Sequence, residues 1–156
     1  MSTRARSGSS RLLAIASSGG HLSELLLLRP AFAGYEVHFA TTIPGLAEKL
    51  DAASCHVVSD CNRNLRWRSA LSLAQIFLLL LRLRPDVVVT TGALPGLFAI
   101  AIAKRMGART IWVDTVGCAD EISMAGAHAR KHADMWLCQW PHIAQASGAE
   151  FRGSLL

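Results

Sequence analysis

Short apolar runs and longer periodic stretches alternate along most of this chain. Residues 12–16 form an unbroken apolar run that stops at Ser17-Ser18-Gly19-Gly20, and residues 21–29 then repeat with a helical period as far as Pro30. That order predicts strand, glycine turn, helix. Residues 35–40 and, more weakly, 55–58 read as further strands, with a short helix over 44–50 between them for which Thr41 or Thr42 supplies the cap. The longest helix is predicted over 65–83; it is apolar round most of its circumference, and Arg68, Ser72, Gln75 and Arg82 keep only a thin polar stripe. Residues 86–90 give the strongest strand, three valines after an Arg-Pro break, and Thr91-Gly92-Ala93 turns it into a helix over 95–106 that Gly107 ends. A strand over 110–113, a helix over 124–132, a strand over 135–138 and a helical turn over 141–146 complete the series. The implied fold class is α/β: a Rossmann-like, open, mostly parallel sheet with helices on both faces. No repeat or low-complexity linker interrupts the pattern, so a disordered basic tail over 1–10 and a single domain over 11–156 are expected.

Two apolar stretches need a decision. Residues 87–103 tempt a membrane-spanning reading, but Gly92, Pro95 and Gly96 fall where a strand must turn into a helix, so two elements are expected there. The leucine-rich helix is too interrupted to span a bilayer. It has two readings: an ordinary crossover helix of the core, or a helix lying at a bilayer surface with Trp67 and the flanking arginines as anchors.

Composition sharpens the second reading. The chain has 156 residues, of which 51% are hydrophobic and 17% charged, against a usual charged share of about 25%. The excess apolar residues point to a partner interface or a membrane surface ahead of an unusually dry core. Net charge is +5, with clusters at Arg4, Arg6 and Arg11, at Arg63, Arg66 and Arg68, and at Arg82 and Arg84. No stretch interleaves aromatic with basic residues and no recognition-helix pattern occurs, so nucleic acid is not the expected partner. Anionic lipid, a diphosphate or another negative substrate fits the charge instead. Cys55, Cys61, Cys118 and Cys138 form no CxxC pair and no metal spacing with the histidines, which reads as free thiols of a cytosolic protein and no metal site. The polar segment 1–10 is no secretory signal.

In an open parallel sheet, ligands bind where strands end and helices begin. The first such end is Ser17-Ser18-Gly19-Gly20-His21, with Glu24 one turn into the helix. Its glycines permit a tight turn, and the N–H groups of a helix start favour an anion. The sequence is not GxGxxG, and Ala40-Thr41-Thr42 stands where a dinucleotide site needs an acidic residue, so NAD is not expected. His21 at a helix start is either a proton-transfer group or a partner for a loop carbonyl; Glu24 is either a base or a first-turn carboxylate suited to the dipole. The second end is Thr90-Thr91-Gly92, able to hold a diphosphate or sugar hydroxyls or merely to turn the chain. The third is Asp114-Thr115 with Glu121, where a carboxylate just beyond a buried strand favours function. Trp136, Gln139 and Trp140 read as packing in preference to sugar stacking. No Walker A loop, HExxH or GxSxG occurs, and Ser18 lies outside any nucleophile elbow.

Taken in order, these segments resemble a known family. Ser17-Ser18-Gly19-Gly20-His21-Leu22-Ser23-Glu24 is similar to its opening SGGH-xxE motif. The Arg63 region, the leucine-rich helix and Arg84-Pro85-Asp86-Val87-Val88-Val89-Thr90-Thr91-Gly92 are similar to its middle. Ile111-Trp112-Val113-Asp114, Ser123-Met124-Ala125-Gly126, His132-Ala133-Asp134 and Gln139-Trp140-Pro141 are similar to its end. The family is the membrane-recruiting, acceptor-side subunit of the split N-acetylglucosaminyltransferase that extends dolichol-linked glycans, with its PssD-like bacterial exopolysaccharide counterparts.

The resemblance covers the chain from about Arg11 onward. It implies a domain like the N-terminal half of MurG-type GT-B enzymes, a separate small subunit that binds the UDP-sugar donor, and a lipid-diphosphate-linked sugar as acceptor at the cytoplasmic face of a membrane. No tightly bound cofactor is implied for this chain. Members often carry an N-terminal membrane anchor; here attachment is expected through the leucine-rich helix and the basic patch. Asp114 stands where eukaryotic relatives usually show glutamate. The expected catalytic residues are His21, Glu24 and Asp114. Acceptor or diphosphate contacts are expected from Ser18, Gly19, Gly20, Arg63, Thr91, Gly92 and Glu121. The alternative is a non-catalytic protein that recruits and activates a catalytic partner at the membrane.

Overall fold

Leu12, Leu13, Ala14, Ile15 and Ala16 are all buried, as a strand covered on both faces requires. The structure, a computed structural model, describes residues 9–45, 52–61 and 66–155. The strand these residues form, β1 (Arg11–Ala16), lies inside a sheet with β2 (Glu36–Thr41), β3 (Ser54–Val57), β4 (Val87–Thr90), β5 (Arg109–Val113) and β6 (Met135–Leu137). The six strands run in the order β3-β2-β1-β4-β5-β6, and every neighbouring pair is parallel. This is the doubly wound arrangement, whose strand order reverses between β1 and β4.

Alternation along β1 separates the two faces. Leu13 and Ile15 pack with Ile76 and Leu80 of α2 (Arg66–Leu83), Ile100 of α3 (Ala93–Arg105) and Ala129 of α4 (Met124–Ala129). Leu12, Ala14 and Ala16 pack on the other side with Leu25 of α1 (Gly20–Leu27) and Phe32 of a following 3₁₀ turn (Arg29–Phe32). A smaller cluster joins Cys138 to Ile143 and Ala144 of α5 (Pro141–Ser147). Helices therefore cover both faces, as the sequence pattern predicts.

Several boundaries differ from the pattern. The helix expected to reach residue 132 stops at Ala129, because the hydroxyl of Thr110 donates to the carbonyl of His132 at 2.7 Å and Asp134 is drawn onto the Thr110 backbone N–H. That tertiary anchor bends the chain into the next strand. The α3 helix begins at Ala93 instead of residue 95, since Pro95 is tolerated in a first turn whose N–H groups lack intrahelical partners. Residues 87–103 divide into β4, a turn and α3, so the apolar run is two elements. Pro44 and Gly45 lie in a turn, and the rest of the expected 44–50 helix lies outside the described residues, as does the tail over 1–8.

The α2 helix buries Ser72, Ile76, Leu79 and Leu80 against the sheet. Its other side leaves Trp67 62% and Leu78 64% exposed, with Leu71, Leu73, Phe77 and Leu81 beside them. Arg68 lies over the Trp67 ring at 5.3 Å. Among the described residues no helix is long and apolar enough to cross a membrane.

Candidate functional site

The carboxyl ends of β1 and β4 lie side by side at the point where strand order reverses, and the two glycine turns meet there. Gly19 caps α1 with φ 73° and ψ −140°, a conformation that favours glycine, and no side chain caps the helix. A Cβ at Gly19 or Gly20 would meet nothing within 4 Å, so the start of α1 is open. Ser18 is exposed, and its backbone N–H donates to the Thr42 hydroxyl at 3.0 Å. The unpaired N–H groups and positive dipole end of α1 suit an anion at this opening.

His21, half-buried in the first turn of α1, reaches across to the second glycine turn. Its Nδ1 lies 3.0 Å from the Thr91 carbonyl, and the Thr91 hydroxyl donates to the His21 carbonyl at 2.5 Å. Gly92 follows with φ 130°, and Ala93 keeps φ 62°, an uncommon conformation for a residue with a side chain. The backbone N–H of Gly92 donates to the Thr90 hydroxyl at 3.2 Å, which closes the turn beneath His21.

Glu24 and Asp114 turn inward. Glu24 is 4% exposed and accepts from the Thr115 hydroxyl at 2.8 Å, the Gln139 amide at 2.8 Å and the Val116 N–H at 3.4 Å. Gln139 also donates to the Asp114 carbonyl at 2.9 Å and accepts from the Leu155 N–H at 3.0 Å. Asp114 accepts from the Trp112 indole at 3.1 Å and from the Ser123 hydroxyl and N–H at 2.5 and 2.8 Å. The Ser123 hydroxyl in turn accepts from Gly126 N–H and caps α4. These two carboxylates thus tie the loops after β1, β5 and β6 together. Each accepts three hydrogen bonds from the protein itself.

Glu121 is exposed on the loop between β5 and α4. Arg63 lies outside the described residues. The thiol of Cys118, near this loop, is pushed up in pKa by burial and then by the carboxylates of Asp114, Glu121 and Glu24, which keeps it protonated and poorly nucleophilic. Among the described residues no cluster of His, Cys, Asp and Glu could hold a metal ion. The structure therefore brings Ser18, Gly19, Gly20 and His21 to one opening, with Thr91 and Gly92 buried against His21 and with Glu24 and Asp114 behind it. Gln139, read from sequence as packing, is instead a hub of this network. The resemblance marks the segment Gln139-Trp140-Pro141, but this role depends on Glu24, Asp114 and Leu155 elsewhere in the chain and is not legible from the segment alone.

Comparison with known proteins agrees with this architecture. No protein-family model and no curated protein matches the chain. Solved structures do match. MurG of Acinetobacter baumannii superposes with a TM-score of 0.71 at 14% identity, covering 93% of this chain and 45% of that one. A UDP-N-acetylglucosamine 2-epimerase from Rickettsia bellii gives 0.69 at 13% identity, with 94% and 45% covered. A putative UDP-N-acetylglucosamine 2-epimerase from Listeria monocytogenes gives 0.61 at 13% identity, with 92% and 43% covered. The fold is thus the Rossmann-like domain of GT-B-type proteins. The chain spans less than half the length of these structures.

Proposed function

We propose that this chain is the acceptor-side half of a two-component glycosyltransferase that moves a sugar from a UDP-sugar onto a lipid-diphosphate-linked saccharide. The observation that carries the reading is His21 beside an open, glycine-rich helix start, at the strand-order reversal of a GT-B-type domain. The SGGH-xxE resemblance supplies the substrate class. Ser18, Gly19 and Gly20 with the start of α1 receive the acceptor diphosphate, joined by Arg63; the buried Thr91 and Gly92 support His21 beside it, and Glu121 stands at the rim.

In the proposed step the acceptor hydroxyl gives its proton to the His21 imidazole while its oxygen bonds to the anomeric carbon of the donor sugar. The bond from that carbon to the diphosphate oxygen breaks, and its electron pair leaves on UDP, so the anomeric centre inverts. Glu24 and Asp114 act by holding the loops. The donor nucleotide sits on the partner subunit, and no tightly bound cofactor is assigned to this chain. The exposed face of α2, with its arginines and no acidic residue, seats the complex peripherally on the cytoplasmic face of an anionic membrane.

The test is to purify the tagged chain from its own membranes, identify what co-purifies, and assay the complex with UDP-sugars and lipid-linked acceptors. A small donor-binding subunit in near-equal amount is expected, and His21→Ala is expected to lower transfer by about 10²–10⁴-fold without releasing that subunit. A second reading rests on the size of the exposed α2 face: a recruitment protein that contributes no catalytic group. Full transfer by the His21→Ala complex would sink the His21 mechanism, and full transfer by the Glu24→Ala and Asp114→Ala complexes as well would support the recruitment reading.

A further inference from the structure

We infer that Thr91 and Gly92 are positioning residues that hold His21 in one tautomer, with its proton on Nδ1 and its lone pair on Nε2. The inference rests on the proposed role of His21 as the proton acceptor, and it names which nitrogen does the accepting and what enforces the choice.

A backbone carbonyl oxygen can only accept a hydrogen bond. The Thr91 carbonyl lies 3.0 Å from Nδ1 of His21, so Nδ1 carries the hydrogen. The other tautomer would set the Nδ1 lone pair against the carbonyl lone pairs at that distance. A neutral imidazole has one N–H, which leaves Nε2 with its lone pair in the plane of the ring. No hydrogen bond to Nε2 occurs among the described residues. The lock is reciprocal: the buried Thr91 hydroxyl returns a hydrogen bond to the His21 carbonyl at 2.5 Å, so one residue fixes both the ring and the backbone of the other across the gap between β1 and β4.

Gly92 makes the approach possible. A Cβ there would stand 2.9 Å from both Cε1 and Nδ1 of the ring, and the φ of 130° disfavours any side chain at that position. The second glycine turn therefore does more than bend the chain: its main chain selects the reactive face of a histidine supplied by the first turn. In the proposed transfer the hydroxyl proton arrives at Nε2, the ring becomes a cation with Nδ1–H still bonded to Thr91, and the proton later leaves by the same nitrogen. No rearrangement of the ring is needed in either direction.

The test is a long-range proton–nitrogen NMR correlation on the uniformly ¹⁵N-labelled full chain, recorded well above the ordinary titration range of imidazole. The His21→Gln spectrum identifies the signals by their loss. A donor-type Nδ1 and an acceptor-type Nε2 are expected for His21; the reverse pattern, or averaging of the two, overturns the inference. In Gly92→Ala the ring is displaced, and the pattern should become reversed or averaged while the other histidine signals stay in place. A folded Gly92→Ala chain that keeps the Nδ1–H pattern removes Gly92 from the device. Thr91→Val deletes the hydroxyl and keeps the carbonyl, so the pattern should survive; its loss would overturn the assignment to the carbonyl. Should Gly92→Ala fail to fold, the spectrum of the unaltered chain still decides the main point. These readouts need neither donor nor acceptor. A wrong tautomer therefore leaves glycosyl transfer to its own assay, and full activity of His21→Ala would defeat the transfer mechanism while leaving the tautomer measured.

Discussion

Gly96 and Thr90 approach so closely that a Cβ on residue 96 would lie 2.0 Å from the Thr90 hydroxyl oxygen. Thr90 ends β4 and Gly96 lies in the first half of α3, so this contact sets how near the helix comes to the strand beside the site. Gly96→Ala should therefore lower stability by about 1–3 kcal/mol through overpacking. Gly117→Ala, whose Cβ would have only the Thr115 hydroxyl at 3.6 Å, should change it by no more than about 0.5 kcal/mol. Urea denaturation of both variants measures the contrast, and equal midpoints would refute it.

Glu24 accepts from three donors at once. Glu24→Ala leaves the Gln139 amide and the Thr115 hydroxyl without that acceptor, at a cost of about 1–3 kcal/mol for a buried group left unpaired. Gln139→Ala should destabilise similarly, and the double variant should cost less than the two separately, because they share one network. Additive losses in a denaturation cycle would show that the two residues are not coupled.

The exposed side of α2 should govern attachment to anionic vesicles. Replacing Phe77 and Leu78 together by serine and glutamine removes two exposed apolar groups and should weaken binding to phosphatidylglycerol vesicles by roughly tenfold or more. Stability should stay within about 0.5 kcal/mol. Unchanged sedimentation with vesicles would mean that this face meets something other than lipid.

Acid should loosen the edge of the sheet. His38 Nδ1 and His56 Nε2 each lie 2.7 Å from the Ser54 hydroxyl, and Glu36 lies beside His38 at 3.3 Å. Burial, followed by the neighbouring His38 and Arg82, lowers the pKa of His56. The unfolded chain therefore binds a proton more readily than the folded one. The stability tied to His56 is complete above about pH 6.5 and is lost as pH falls through that value towards the lower folded pKa. His56→Gln retains an N–H for Ser54 and should shrink the difference in unfolding midpoint between about pH 8 and about pH 5.5. An unaltered pH dependence in that variant would point to another group.

Much of the fold was legible because parallel strands buried on both faces leave apolar runs. Residues 12–16 and 87–90 announce β1 and β4 for that reason, and Gly19-Gly20 and Thr91-Gly92 announce the turns that follow. The end of α4 was not legible, since it depends on the Thr110 hydroxyl reaching His132 from another strand. The glycine turns and His21 could be read as a site from their order alone. The inward turn of Glu24 could not, because its partners Thr115 and Gln139 stand 91 and 115 residues away. Sequence shows that a carboxylate is present near a helix start; only the folded chain shows that other groups already occupy it.

The Glu24–Gln139–Asp114 network has a consequence for motion. One carboxylate and one carboxamide fasten the ends of three strands, and the same carboxamide grips the main chain at Leu155. The floor of the opening should therefore move as a single plate, so that closing over a ligand would require displacement of the whole domain. Amide protons at Thr115, Val116 and Leu155 exchanging at one common rate would be the signature of such a plate, whereas independent rates would mean that the loops breathe separately.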